Sequence, residues 1–144
     1  MNPPSDSDEI IRTLGLKPHP EGGYYTETWR DDAQRGRRGS GTAIYYMLKA
    51  GEISAWHRVD AAEIWHWYAG APLDLSLSDD GIGVRRVALG PDVVSGQRPQ
   101  AIVPPFAWQM ARSTGDWSLV GCTVSPAFDF AGFEMAPAGW EPGA

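Results

Sequence analysis

At 144 residues, with 42% hydrophobic and 21% charged side chains, the chain can bury one continuous core but not two, and it is too apolar for a disordered segment. Its formal charge of -6 repels phosphate backbones, so nucleic acid is not an expected partner. Nor is a membrane: no apolar run approaches about 18 residues, and Met1 through Glu9 are polar and acidic, unlike an export signal.

One helix is expected near the start. Asp6 or Ser7 can cap it, Asp8 and Glu9 suit its first turn, and Ile10, Ile11 and Leu14 give it an apolar face. Gly15 ends it, and Pro18 and Pro20 forbid its continuation. The remainder of the chain reads as β structure, short aromatic and β-branched runs punctuated by Gly, Pro, Asp and Ser. In chain order the strands are Tyr24 to Arg30, Thr42 to Leu48, Ile53 to Arg58, Glu63 to Tyr68, Leu73 to Ser78, Val84 to Leu89, Gln100 to Val103, Ala107 to Arg112, Trp117 to Val124 and one near Phe133. Between the first two, Arg35, Arg37 and Arg38 amid Gly36 and Gly39 read as a solvated hairpin loop.

Alternation of Leu73, Leu75 and Leu77 with Asp74, Ser76 and Ser78 predicts leucines facing inward and the polar set facing water. Val120, Cys122 and Val124 share a face, so Cys122 reads as a small buried hydrophobe. As the sole cysteine it permits neither an internal disulfide nor a cysteine-based zinc site, and it suits a reducing, cytoplasmic setting. Ten short strands and one helix make an all-β sandwich or barrel, one domain over residues 5–140.

The segment from Gly51 to Gly70 is GEISAWHRVDAAEIWHWYAG, in which five residues separate Gly51 from His57, five separate His57 from Glu63 and six separate Glu63 from Gly70. His57 and Val59 share one strand face, and Glu63 comes after a tight turn through Asp60, Ala61 and Ala62. An imidazole and a carboxylate can thus point into one interior, where an unpaired carboxylate is costly or keeps its proton at neutral pH. His66 has the opposite parity and belongs on the surface or at a dimer interface. His19, between Pro18 and Pro20, is expected to play a conformational or capping part in a loop. Trp56, Trp65, Trp67, Trp108, Tyr45 and Tyr46 fall within or beside the same hairpins, most as packing. Trp65 and Trp67, in phase with Glu63, are candidates to stack on a ligand, and Tyr46 is a candidate acid.

The spacing from Gly51 to Gly70 resembles the first cupin motif, G-x5-H-x-H-x3-E-x6-G, with Val59 where that motif has its second histidine. The segment VPPFAWQMARS is similar to the second motif, G-x5-P-x-G-x2-H-x3-N, in outline only. Pro104 takes the place of the proline, Phe106 of the glycine, Gln109 of the histidine and Ser113 of the asparagine. Four blocks in order, LGLKPHPEGGYYTETWR, SAWHRVDAAEIWHWYAGAPL, VPPFAWQMA and LVGCTVSPAFDFAGFEMA, resemble a family of small cupins of the cupin-5 type over Leu14 to Ala136. The resemblance implies a cupin double-stranded β-helix, a jelly-roll sandwich with a short N-terminal helix, related in shape to dTDP-sugar epimerases and storage-protein cupins. It also implies a homodimer, for which the Tyr24 to Arg30 edge strand is the expected contact.

Three functional readings stay open. The first is a metal-independent isomerase or epimerase-like cupin that needs no cofactor and binds a small polar ligand, a sugar or nucleotide derivative. There His57 is the base, Glu63 orients it, and Tyr46, Trp65, Trp67 and Gln109 are ligand contacts. The second places a weakly bound divalent metal on His57, Glu63 and Gln109 in an oxygenase or isomerase. The third is a non-catalytic module whose cavity senses a ligand.

Overall fold

The computed structural model describes residues 6–31 and 36–144, so Arg35 lies outside the described residues. Helix α1 (Asp6–Leu14) begins with Asp6, Asp8 and Glu9 in its first turn and has Arg12 in its last, charges that complement the helix dipole. It stops at Gly15, whose left-handed backbone (φ 70°) accompanies a hydrogen bond from the Leu16 N–H to the Ile11 carbonyl at 2.9 Å.

Beyond the helix are eleven strands: β1 (Lys17–Pro18), β2 (Tyr24–Arg30), β3 (Thr42–Lys49), β4 (Ile53–Val59), β5 (Ala62–Gly70), β6 (Leu73–Ser78), β7 (Arg85–Leu89), β8 (Gln100–Val103), β9 (Trp108–Ser113), β10 (Trp117–Ser125) and β11 (Phe133–Met135). All ten expected strands are present with ends shifted by a residue or two, and the addition is the short β1. They form two antiparallel sheets, in the orders β1-β2-β3-β10-β5-β8 and β11-β4-β9-β6-β7. The sheets face each other as the expected jelly-roll sandwich. Leu73, Leu75 and Leu77 of one sheet and Tyr46, Trp65, Val120 and Cys122 of the other share the main core between them. A smaller cluster of Val59, Ala61 and Val124, packed by Phe128 and Phe133, fills the space beside the β4–β5 bend.

One sequence expectation needs correction and another an addition. Asp74 is exposed, but Ser76 and Ser78 are buried. The reason is the C-terminal segment, which crosses the outer face of their sheet: the Ala136 N–H bonds to the Trp56 carbonyl at 3.0 Å and the Gly143 N–H to the Gly81 carbonyl at 2.9 Å. Trp140 sits between, its ring centroid 5.9 Å from that of Trp56 and 4.7 Å from that of Trp108. In the arginine loop, Arg37 and Arg38 are both exposed as expected, and Arg38 is a tether as well. Its guanidinium grips both carboxylate oxygens of Asp60 at 2.9 and 2.8 Å and donates to the Ala127 carbonyl at 2.6 Å. Among the described residues no helix is long and apolar enough to cross a membrane.

Candidate functional site

Strands β4 and β5 belong to different sheets, so the bend at Asp60 and Ala61 carries the chain from one wall of the sandwich to the other. His57, before the bend, and Glu63, after it, therefore reach the interior from opposite sides, and both are buried. The Arg38–Asp60 pair fastens this bend from outside and holds the Asp60 carboxyl below the usual range. Between the two side chains lies a cavity of about 60 Å³. Its floor is polar, made by His19, Glu21, His57 and Glu63; Phe128 and Phe133 are among its apolar walls, and the exposed Phe130 stands at its mouth.

The orientation of His57 is fixed by its own strand. Nδ1 lies 2.7 Å from the Ala55 carbonyl oxygen, an acceptor only, so Nδ1 carries the hydrogen and Nε2 keeps its lone pair. That free nitrogen is 3.5 Å from Glu21 Oε2. Burial lowers the His57 pKa, with the Glu63 charge and the Ala55 bond acting against it, so the ring is held neutral.

Glu21 arrives from the loop between β1 and β2. This loop lies tightly on the sandwich: a side chain at Gly22 would collide with the Ile53 carbonyl, and one at Gly23 with the Met47 carbonyl and the Leu48 side chain. Both glycines have positive φ, 110° and 77°. The Tyr46 hydroxyl donates to the Gly22 carbonyl, and the Ser54 hydroxyl donates to Glu21 Oε2. The Glu21 N–H bonds to His19 Nδ1 at 3.0 Å, and Glu21 Oε1 lies 3.3 Å from the same nitrogen. Burial pushes the Glu21 carboxyl up to about 8 and His19 down to about 4. Near neutral pH an uncharged acid thus stands between two uncharged imidazoles.

Glu63 is held differently. Gln109 donates to Glu63 Oε1 at 2.8 Å and accepts the Trp65 indole N–H on its own oxygen at 2.8 Å. Burial lifts Glu63 to about 7, against the lowering effects of His57 and of the Gln109 bond. Burial also drives the neighbouring Cys122 thiol well up, which keeps it protonated and inert as a nucleophile.

A family model described as Cupin superfamily (DUF985) matches residues 8–136, nearly the whole chain. The chain belongs to this cupin family. Two solved structures show the same architecture at substantial identity. A protein from Shewanella oneidensis is 36% identical, with a TM-score of 0.85 over 90% of this chain and 84% of that one. A hypothetical protein from Leishmania major is 32% identical, with a TM-score of 0.83 over 93% and 89% of the two chains. Oxalate decarboxylase from Bacillus subtilis is 13% identical with a TM-score of 0.59, over 82% of this chain and 29% of its own, a likeness of fold alone. No curated protein matches the chain.

Within this cupin, the residues singled out by sequence divide into two groups. His57 and Glu63 line the cavity together, with Val59 beside them. Tyr46, Trp65, Trp67 and Gln109 do not line it. Trp65 is fully buried in the main core with its ring edge-on to Tyr46, and Trp67 packs against that core and donates to the Ala71 carbonyl at 3.1 Å. Trp65 therefore has no face to offer a ligand, and the half-buried Trp67 lies outside the cavity. Gln109 does not fit a metal-ligand role either, because its oxygen is occupied by Trp65 and its NH₂ group is what faces Glu63. Among the described residues no three His, Cys, Asp or Glu side chains converge as a metal-binding group.

His66 points outward, 3.0 Å from Thr123 Oγ1 and stacked on Tyr68. His19 does cap its loop through the Glu21 N–H, and its buried ring lines the cavity as well. Glu21 was not singled out by sequence. The available signal was local: an acid directly before two glycines in a loop entering a strand.

Proposed function

We propose that this cupin binds a small polar molecule between its sheets and moves a proton on it without a metal, as an isomerase or epimerase does. The observation that carries the reading is the tie from His57 Nδ1 to the Ala55 carbonyl at 2.7 Å, which aims the unprotonated Nε2 at the cavity floor. A neutral, buried, oriented imidazole is what general-base catalysis requires. His57 takes the proton, and the Glu63 charge favours the imidazolium that results, as the direction of its influence on His57 indicates. A cytoplasmic setting belongs to this reading, with the Cys122 thiol kept reduced.

A second copy of the chain is the proposed partner, bound on the outer face of the six-stranded sheet. Strands β8 and β10 contain no charged residue, and the one in β5, Glu63, points inward. That face presents Tyr45, Ile64, His66, Tyr68, Ile102 and Thr123. In a chain of net charge -6, an uncharged face is where two copies approach without repulsion. The β2 edge suits contact less well, since Tyr24 and Tyr25 already pair with β1 and Glu27 pairs with Arg30.

The catalytic reading is tested by following solvent deuterium into small hydroxy-carbonyl compounds by NMR. Exchange is expected above the buffer rate, falling at least about a hundredfold in His57→Gln, the scale of one general base. Exchange unaffected by that substitution, or absent with every compound, would remove the catalytic claim and leave a binding module.

A further inference from the structure

We infer that the cavity selects an uncharged ligand head, a hydroxy-carbonyl or vicinal diol fragment of about two to four non-hydrogen atoms, and that Glu21 is the hydrogen-bond donor that receives it. This rests on the reading of the cavity as the ligand site and names the class of molecule it admits.

Size sets the first limit. A cavity of about 60 Å³ lies well below the roughly 150 Å³ that accommodates a benzene ring. A whole sugar nucleotide does not fit; the end of a small polyol or hydroxy-ketone does, with any remainder lying outside past Phe130.

Charge sets the second. An anion entering the cavity meets three carboxyl groups, Glu21, Glu27 and Glu63, and no lysine. Arg30 is the one cationic side chain among the lining residues, and it stands exposed at the mouth. Its Nε and Nη2 bond to the Glu27 carboxylate, both at 2.8 Å, and its Nη1 to the Phe128 carbonyl at 2.9 Å. A carboxylate or phosphate would lose its water for apolar walls and gain no counter-charge on the floor.

Hydrogen bonding sets the third. Glu21 Oε2 already accepts from Ser54, which leaves Oε1 as the carboxyl oxygen to which we assign the acid proton. His19 Nδ1, 3.3 Å from Oε1, is taken by the Glu21 N–H. The O–H is therefore available to a carbonyl or hydroxyl oxygen, while His57 Nε2 can accept from a neighbouring hydroxyl. Retention of the Glu21 proton by burial, up to about 8, agrees with this assignment.

The test compares hydroxyacetone with lactate, near in size and opposite in charge state, by titration into isotope-labelled protein while following the methyl groups of Val59 and Val124, which line the cavity. Hydroxyacetone is expected to shift those methyls and to bind at least about tenfold more tightly than lactate, a difference of about 1.4 kcal/mol. Its affinity should fall above pH 8 in the wild type and stay level in Glu21→Gln, which keeps an N–H donor but cannot ionise. Lactate binding as tightly as hydroxyacetone at these methyls, or a hydroxyacetone affinity that still falls above pH 8 in Glu21→Gln as it does in the wild type, overturns the ligand class while leaving the cavity as the site. Methyls unmoved by either probe overturn both readings.

Discussion

Gln109 donates to Glu63 Oε1 at 2.8 Å while its own oxygen is fixed by the Trp65 indole, so one amide links the packed core to the cavity. All three side chains are buried. Gln109→Leu keeps the approximate volume and removes both bonds, orphaning the buried indole N–H and taking from Glu63 its amide partner. The expected loss is about 3 kcal/mol, read as a lower denaturant midpoint at unchanged slope. Glu63 should also titrate higher still, because the bond that favours its charged form is gone. A stability change within error of zero would mean that water substitutes for the amide.

The cavity floor also makes stability depend on pH, with a sign that can be worked out. Glu21 and Glu63 are lifted by burial from 4.5 to about 8 and about 7, so above pH 4.5 the folded chain holds protons that the unfolded chain has released. Their contribution is complete below 4.5 and is lost as pH rises through 7 and 8. His19 and His57, lowered by burial from 6.5, act oppositely: stability rises with pH up to about 6.5 and is flat beyond. Above pH 6.5 only the carboxyls remain. Tm should therefore fall between pH 6.5 and 8.5, and Glu21→Gln should remove on the order of 2 kcal/mol of that fall. A wild-type melting curve that is level over this interval would contradict protonated buried acids.

These groups also show where sequence reading stops. The strands were legible because period-two alternation is local, and His57 with Glu63 because a fixed spacing across a bend survives without knowledge of the rest. Trp65 and Trp67 lie on the face that parity predicts, but parity gives a direction and not a depth: the same interior holds a packed core and a cavity, and Trp65 falls in the core with Trp67 packed half-buried against it. Glu21 was missed because its placement depends on the loop of Gly22 and Gly23 lying against Ile53 and Met47, a contact between distant segments. Ser76 and Ser78 were misassigned for a similar reason, since a C-terminal tail seated by Trp140 covers a face that alternation assigns to water.

Phe106 occupies the position that the second cupin motif gives to glycine, and its backbone shows why that motif has one there. Its φ is 67°, the one positive value at a non-glycine residue among the described residues, and its N–H bonds to the Val59 carbonyl at 2.8 Å. The turn geometry is retained with a side chain that disfavours it by roughly 1–2 kcal/mol. The ring is 60% exposed, so little packing offsets this. Phe106→Gly is expected to be more stable than Phe106→Ala by about 1 kcal/mol, measured by chemical denaturation. Equal stability of the two variants would show that the left-handed turn is not maintained in solution.

The uncharged outer face of strands β10, β5 and β8 makes the last prediction. Ile102 is 62% exposed and Tyr68 49% exposed, on neighbouring strands β8 and β5 and without an Asp, Glu, Lys or Arg between them. In a two-fold symmetric pairing each substitution is made twice, once on either side of the contact. Ile102→Asp therefore adds two carboxylates to a desolvated surface between molecules that already repel, and should convert the proposed dimer to a monomer at micromolar concentration in sedimentation velocity. Ile82→Asp, at a site 70% exposed beside the other sheet, is the matched control and should leave the dimer intact. Elevated salt should tighten the residual association of Ile102→Asp by screening the introduced charges. A wild-type chain that sediments as a monomer, or dissociation caused by Ile82→Asp instead, would exclude this face as the interface.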